Sequence, residues 1–559
     1  MMKINIREKH IPVFPLCLLA AAALTVLPCL FADIFYMYGD DYLINYIANG
    51  SFGETYQAHL IFVGYPLGLL LKGLYHILPA VNWYAVLLLA GFTLSFALFY
   101  DSLASCGAHP AAYALIALIN VAAAPLFLTY TAAAFFTAAA GLAFVLVRLR
   151  GGAPLRRLLP GLLFMALSLE FRSDCLLPAC ALAFPLYAVC LLQKDLRADG
   201  AWKKRLLTFA GAGLILLALI GALRLVEKRA YSAKEWQDFR SYNSARSDWL
   251  DYPLMAYEDF ADAYREAGFT KEAYLILNRW TFCEKQTFSK ERLLAISQIQ
   301  KQAYTKRFRL SYTLEAFSSK TNLLLLLIPA AFFLMLLIAD RDARRLPLCL
   351  TFLMLLLVLG ALAFIRMRFL LRVAAPLAVA DIVFLAINAP RRERKLSLPI
   401  ALISAALLFV PCFLFLPAYN EAVASLRSAS TAASYRKLRK EIDAHPERIY
   451  AVESPIYVHL FAWGHTIDEI KPTDTFSHVF RAGSWDNFTP RYYALAKAAG
   501  VPDPDNLLSS LIDSGRMRLV TENEDFVLQF LTAETGTPCV AQKVNKKGPA
   551  RIIKVGSAS

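Results

Sequence analysis

Two adjacent carboxylates, Asp40 and Asp41, stand in the stretch Gly39-Asp40-Asp41-Tyr42-Leu43-Ile44-Asn45-Tyr46-Ile47-Ala48-Asn49-Gly50, directly after the first long apolar run. Leu43, Tyr46, Ile47 and Gly50 fall at helical spacing, which predicts a short amphipathic helix that starts at the aspartates and stops at the glycine. Neighbouring residues on a helix point about 100° apart, so the two carboxylates cannot both aim at one atom. One can act as a base while the other orients it, binds a cation or caps the helix. An aspartate ahead of an apolar-periodic run is also an ordinary N-cap. What favours chemistry over capping is the position of the pair in the chain.

The elements that must position the pair are membrane spans. Of 559 residues, 58% are hydrophobic and 18% charged, with mean hydropathy +0.47, a balance foreign to an ordinary soluble enzyme. Several apolar runs reach the ~20 residues needed to cross a bilayer. The net charge of +15 does not indicate nucleic acid, because Lys and Arg cluster in short loops between apolar runs, the pattern that sets membrane orientation. Most of the ten cysteines lie in apolar runs; Cys283 and Cys539, in large polar regions, could pair, and no CxxC is present.

The first span, Ile11 to Phe31, follows Lys3, Arg7 and Lys9, which places the N-terminus in the cytoplasm and the aspartates outside. His59 to Pro79 reads as a juxtamembrane helix on the outer face. Spans follow at Trp83–Tyr100, Ala111–Leu128 and Thr131–Val147, and the cluster Arg148, Arg150, Arg156, Arg157 marks the inside. A shallow pair, Leu158–Leu169 and Cys175–Leu192, is broken by Glu170-Phe171-Arg172-Ser173-Asp174, and Lys194, Arg197, Lys203, Lys204 and Arg205 come next. Further spans are expected at Leu206–Val226, Asn322–Ala339, Leu346–Ile365, Val373–Ala389 and Leu398–Pro417, separated by the internal clusters Arg341/Arg344/Arg345 and Arg391/Arg392/Arg394/Lys395. The expected architecture is an α-helical polytopic membrane protein with about eleven transmembrane helices, by the length rule. Its parts are an N-terminal module (1–226) with the first external loop at 34–80, an external helical insert (227–320), a second membrane module (321–417) and a small external α/β domain (418–559). In the last, a helix at Ser434–Ala444, strands at Ile449–Val452 and Met517–Thr521, a helix from Glu524 and apolar runs near Val540 and Ile552 are predicted.

With an inside N-terminus, Gly39-Asp40-Asp41-Tyr42 in the first external loop, an amphipathic helix before the second span, short central helices with an Arg/Asp break and an external C-terminal domain, the chain resembles the membrane glycosyltransferases of the GT-C superfamily, which use polyprenyl-phosphate-linked sugars. The resemblance implies an inverting transferase in the cell membrane, acting on its outer face on a glycan, lipid or protein acceptor in the cell envelope. It makes Asp40 the base and Asp41 its assistant, with a divalent cation able to sit at the pair. Transfer from a lipid phosphate to a hydroxyl needs a carboxylate to take the proton and cations to stabilise the departing phosphate. Arg366, Arg368 and Arg372 lie on the side of the aspartates and can serve the phosphate, with Lys72 beside them; otherwise they snorkel toward anionic headgroups. His59, Arg172 and Asp174 are candidates for holding substrate, and His76 shares a helix face with Lys72.

His459, His465, Asp468, Glu469 and His478 match no regular metal spacing, and no Walker sequence occurs. A polysaccharide polymerase or ligase would also carry a large external loop and arginines. A lipid-linked sugar transporter or flippase would place charges near the bilayer midplane, where Asp381 is the main candidate. The charge placement predicts that membrane-impermeant labels reach cysteines introduced near Ser289 and Asp513 but not near Arg156 or Arg392. Labelling at position 392 ahead of 289 would invert the topology.

Overall fold

Runs of Leu, Ala and Phe can satisfy their backbone polar groups away from water only as helices, and the computed structural model of the chain is accordingly mostly helical. It describes residues 13–53, 55–192, 201–339, 345–389, 410–421, 433–462, 465–543 and 550–558. The basic residues at 3, 7, 9, 194, 197, 341, 344, 391, 392, 394 and 395, and the first part of the last expected span (398–409), lie outside the described residues.

The N-terminal half contains α1 (Val13–Phe31), α2 (Gly39–Ala48), α3 (Tyr65–Ile77), α4 (Trp83–Cys106), α5 (Pro110–Phe127), α6 (Tyr130–Arg150), α7 (Leu159–Phe171), α8 (Leu176–Leu192) and α9 (Ala201–Ala230). After α10 (Lys234–Leu250) and further short helices come α11 (Lys320–Ala339), α12 (Arg345–Phe364) and α13 (Leu371–Asn388). Eight of these, α1, α4, α5, α6, α9, α11, α12 and α13, are long and apolar enough to cross a membrane. The shallow pair appears as α7 and α8, of 13 and 17 residues. Leu214, Leu217 and Leu225 of α9 are 69, 65 and 68% exposed. A face that apolar is stable in lipid and not in water.

Side-chain contacts sort the helix ends into two groups. At one end Arg148 of α6 pairs with Asp101 of α4 at 2.7 Å, and Arg150 bonds Asn388 and, at 3.1 Å, the Ile387 carbonyl of α13. At the other end the Met37 N–H meets the Leu128 carbonyl at 3.0 Å, and the Tyr130 N–H meets Asp41 at 2.9 Å. The start of α2, the end of α5 and the start of α6 therefore gather there.

Above that end sits a polar cap. Its sheet has the order β2-β1-β3-β5-β4, from β1 (Ile449–Val452), β2 (Val479–Arg481), β3 (Met517–Thr521), β4 (Cys539–Lys543) and β5 (Arg551–Ser557). The strands β2, β1 and β3 run parallel, and β5 and β4 close the sheet antiparallel. The predicted terminal elements α14 (Ala433–Asp443), β1, β3 and α17 (Glu524–Thr535) are present; α15 (Ser454–Phe461), β2 and α16 (Pro490–Ala499) are additions to the expected set. All four residues of β1 are buried, as a central parallel strand requires.

The insert is not a separate body. Trp249, Tyr264 and Phe288 share one core with Ile449, Leu507 and Phe530 of the tail. Both the Phe282 and Cys283 N–H groups bond the Ala482 carbonyl, at 3.0 and 3.1 Å. A Cβ on Gly483 would lie 1.7 Å from the Trp280 carbonyl oxygen, so only glycine permits this approach. Cys283 and Cys539, the two that could have paired, are both free; Cys283 is buried inside that shared core.

Where α6 and α7 cross, a Cβ on Gly141 would lie 2.5 Å from the Gly161 carbonyl oxygen. Small residues of this kind let helices pack by direct contact where no hydrophobic driving force exists. Gly141→Val should therefore destabilise the protein by the ~1–3 kcal/mol typical of overpacking and lower the thermal midpoint of the detergent-solubilised form. Gly213→Val on α9, where a Cβ meets nothing within 4 Å, should leave it unchanged.

Candidate functional site

The predicted helix forms as α2, but the aspartates do not cap it. The capping residue is Tyr38, which gives no side-chain cap bond, and both carboxylates lie in the first turn. There they favour the helix dipole while pointing in different directions, as the 100° rotation between neighbours requires.

Asp41 is completely buried. Its Oδ1 accepts from the Tyr84 hydroxyl at 2.8 Å and from the Tyr130 N–H at 2.9 Å, tying α2 to α4 and α6. Burial, opposed by these hydrogen bonds, pushes its carboxyl up to about 7.

Asp40 turns the other way. Arg372, at the start of α13, donates from Nη1 to Oδ2 at 2.8 Å, and the Trp485 indole N–H donates to Oδ1 at 3.1 Å. The Arg372 guanidinium also lies over the Tyr38 ring, 4.6 Å from its centroid. Its Nε is buried and has no hydrogen-bond partner among the described residues, which leaves a donor for an acceptor oxygen.

Asp40 faces a cavity of about 480 Å³ between the helix ends and the cap. Five arginines line it, Arg172, Arg246, Arg368, Arg372 and Arg481, against two carboxylates, Asp40 and Asp251. Arg246 and Arg368 share Asp251, at 3.4 and 3.6 Å. Arg481 is bound to Asp486 behind the wall. Arg172 pairs with no carboxylate among the described residues; its Nη1 donates to the Thr131 hydroxyl at 2.9 Å and the Tyr130 hydroxyl at 3.1 Å. The excess of guanidinium gives the cavity the chemistry to hold an anion with several oxygens, such as a phosphate.

Of the residues singled out in the sequence, the structure brings Asp40, Arg172, Arg368 and Arg372 to this cavity. Asp41 stands behind it as an anchor. Arg366 does not line it: Met367 is buried with φ 48°, and this left-handed residue turns Arg366 and Arg368 apart. Asp174 is exposed beyond the turn from Arg172. His59 is held elsewhere, stacked on Trp236 at 4.7 Å with Nε2 donating to the Ala230 carbonyl at 3.1 Å. Lys72 lies on α3, outside the cavity lining.

Nor do Asp40 and Asp41 form a joint cation site. Their carboxylates diverge, and the Arg372 guanidinium stands where a cation would meet Asp40. Among the described residues no group of three or more His, Cys, Asp or Glu side chains is placed to hold a metal.

Arg246, Trp485 and Arg481 are among the lining residues that escaped the sequence reading. Arg246 left a trace, since it sits at helical spacing on the stripe of Tyr242, Ala245 and Trp249, where a charge is out of place. Trp485 left none, because its partner Asp40 is 445 residues away, and nothing in the local pairing of Arg481 with Asp486 marks it as a cavity residue. A comparison with family models, curated proteins and solved structures found no match.

The Asp41 environment predicts a pH effect. A buried carboxyl at about 7 keeps its proton in the folded chain, whereas in the unfolded chain it ionises near 3.9. Its contribution is complete below the unfolded value and is lost as pH rises from roughly 4 to 7. Asp41→Asn, which keeps an acceptor oxygen, should fold and should flatten the fall in thermal midpoint over that window. Asp41→Ala strands the Tyr84 hydroxyl and Tyr130 N–H and should cost ~1–3 kcal/mol for each. A wild-type slope equal to that of Asp41→Asn would show the carboxyl is not held as described.

Proposed function

We propose that the chain is an integral-membrane inverting glycosyltransferase that moves a sugar from a polyprenyl-phosphate donor to an acceptor hydroxyl at the outer face of the cytoplasmic membrane. The observation that carries this reading is the Asp40 carboxylate, set with five arginines and only one other carboxylate, Asp251, in a cavity at the end of a bundle of apolar helices. A lipid-borne phosphate sits at headgroup depth, and this cavity lies where the apolar helices end.

In the proposed step the acceptor oxygen forms a bond to the anomeric carbon as the bond from that carbon to the phosphate oxygen breaks. The electron pair leaves on the phosphate, where Arg372 and Arg172 stabilise it. The acceptor proton passes to Asp40. A single displacement inverts the anomeric centre.

The resting ion pair sets the order of events. Arg372 holds one Asp40 oxygen and keeps a second donor, Nε, in reserve. A donor phosphate competes for the guanidinium and releases that carboxylate oxygen toward the acceptor. The site then acquires its base only as it acquires its donor.

Asp40→Asn keeps the shape and the Trp485 bond but removes the base, so transfer should fall by about two to four orders of magnitude with folding intact. Mass analysis of envelope glycans from cells carrying this variant checks it. Arg372→Lys keeps the charge and loses the planar fork, so it should raise the donor KM sharply, whereas Arg366→Lys should be silent. Near-normal transfer by Asp40→Asn would leave this reading without its base.

A second reading keeps one observation of its own. Both oxygens of Asp381, buried in the middle of α13, have no hydrogen-bond partner among the described residues, and an intramembrane carboxyl is a hallmark of transport. Lipid movement that survives Asp40→Asn but stops in Asp381→Asn would favour a flippase.

A further inference from the structure

A transferase must seat two substrates, and a second cavity adjoins the first. It measures about 320 Å³, at the lower end of the roughly 300–1,000 Å³ of ligand pockets. Its walls are mixed: α7 and α9 bring Leu169, Ile220 and Leu223 but also Glu170 and Glu227, and α10 brings Ser244 and Arg240, which pairs with Glu227 at 2.6 Å. One side chain, Phe62, lines both cavities. The Phe62 ring stacks on Tyr130 at 6.1 Å and meets Trp485 edge-on at 4.7 Å, so the partition touches the indole that holds Asp40.

The partition is built with care. Ile61, the residue before Phe62, has φ 69°, a conformation that a β-branched side chain adopts only when its surroundings force it. The forces are visible: the Tyr231 hydroxyl accepts from the Ile61 N–H at 3.2 Å, Glu227 accepts from the Tyr65 N–H at 3.1 Å, and Glu170 accepts from the Leu67 N–H at 3.4 Å. A larger cavity of about 690 Å³, beside Phe52 and Arg491, shares no lining residue with the Asp40 site and lies behind the Arg481–Asp486–Arg491 cluster. It is the poorer place for an acceptor.

We infer that the cavity between α7, α9 and α10 receives a lipid-borne acceptor, with its hydroxylated headgroup under α10 and its apolar tail along α9, and that Phe62 must move for the headgroup to reach Asp40. The position of the cavity beside α9 supports a lipid over a free glycan. Its charged and polar groups can meet a headgroup, while Ile220 and Leu223 continue along α9 toward the exposed Leu217 and Leu214, and α9 is the least buried of the long apolar helices among the described residues. The inference rests on the transferase reading for the meaning of "acceptor", but its test needs no turnover.

The experiment uses the full-length protein in nanodiscs of phosphatidylethanolamine and phosphatidylglycerol. The probe is an alkyl β-glucoside with a photoreactive diazirine next to its headgroup, and cross-links are mapped by mass spectrometry. Labelling should fall on the 220–227 and 239–244 segments and be competed by unlabelled alkyl glucoside. It should drop about tenfold, or about 1.4 kcal/mol, in both Ser244→Trp and Leu223→Trp, which fill the cavity from opposite walls. Asp40→Asn should label as wild type does. Equal labelling by a headgroup-free diazirine alkane would mean ordinary lipid contact and overturn the proposal. Competition by tail-free glucoside at the same concentration would overturn it in favour of a soluble acceptor, and so would indifference of the labelling to both tryptophan variants. Loss of transfer in Asp40→Asn without any cavity labelling would sink this inference while leaving the transferase reading intact.

Discussion

The ion pair between Asp40 and Arg372 joins residues 332 positions apart in the chain. It can form only if α2 and the first turn of α13 meet at the same end of the bundle, which in turn requires the apolar helices between them to alternate in direction. The pair is partly desolvated: the Arg372 side chain is 11% exposed and that of Asp40 29%. Removing one partner of such a pair strands the other charge at considerable cost. The surrounding structure can be understood as the means of keeping the two together: Asp41 nails α2 to α4 and α6, Tyr38 covers the guanidinium, and Trp485 reaches down from the cap to take the remaining oxygen.

That last contact explains the merging of the insert and the tail. A domain tethered only by one connection would not deliver an indole to a carboxylate within hydrogen-bond distance. Through Ala482, Gly483 and the shared aromatic core, the insert fixes the loop that carries Trp485. Arg246 then enters the cavity from the insert and Arg481 from the tail. The arginine cluster thus has members from both membrane modules and both halves of the cap, and it exists only when all four are assembled.

Much of the framework was legible in the sequence because it rests on local signals. Long apolar runs fix helices, basic clusters fix helix ends, and the Leu43/Tyr46/Ile47 spacing fixes α2. The short breaks at Arg172 and near Arg368 were legible as charges interrupting apolar runs, and both arginines line the site. What the sequence did not disclose depends on long-range partners. Nothing local distinguishes Trp485 from other tryptophans, Arg366 from Arg368, or the buried Asp41 from the cavity-facing Asp40, because a left-handed Met367 and a rotation of 100° decide each case. The folding of the insert into the tail was equally hidden, since each strand and helix is amphipathic without naming its partner.

The central claim is that a lipid phosphate takes Arg372 from Asp40. A cryo-EM structure of the protein with polyprenyl phosphate tests it most directly. The account predicts the phosphate in the arginine-lined cavity, within hydrogen-bond distance of Arg372 and Arg172, with the Asp40 carboxylate released from Arg372 and still held by Trp485. A phosphate bound elsewhere, with the Asp40–Arg372 pair intact, would contradict it.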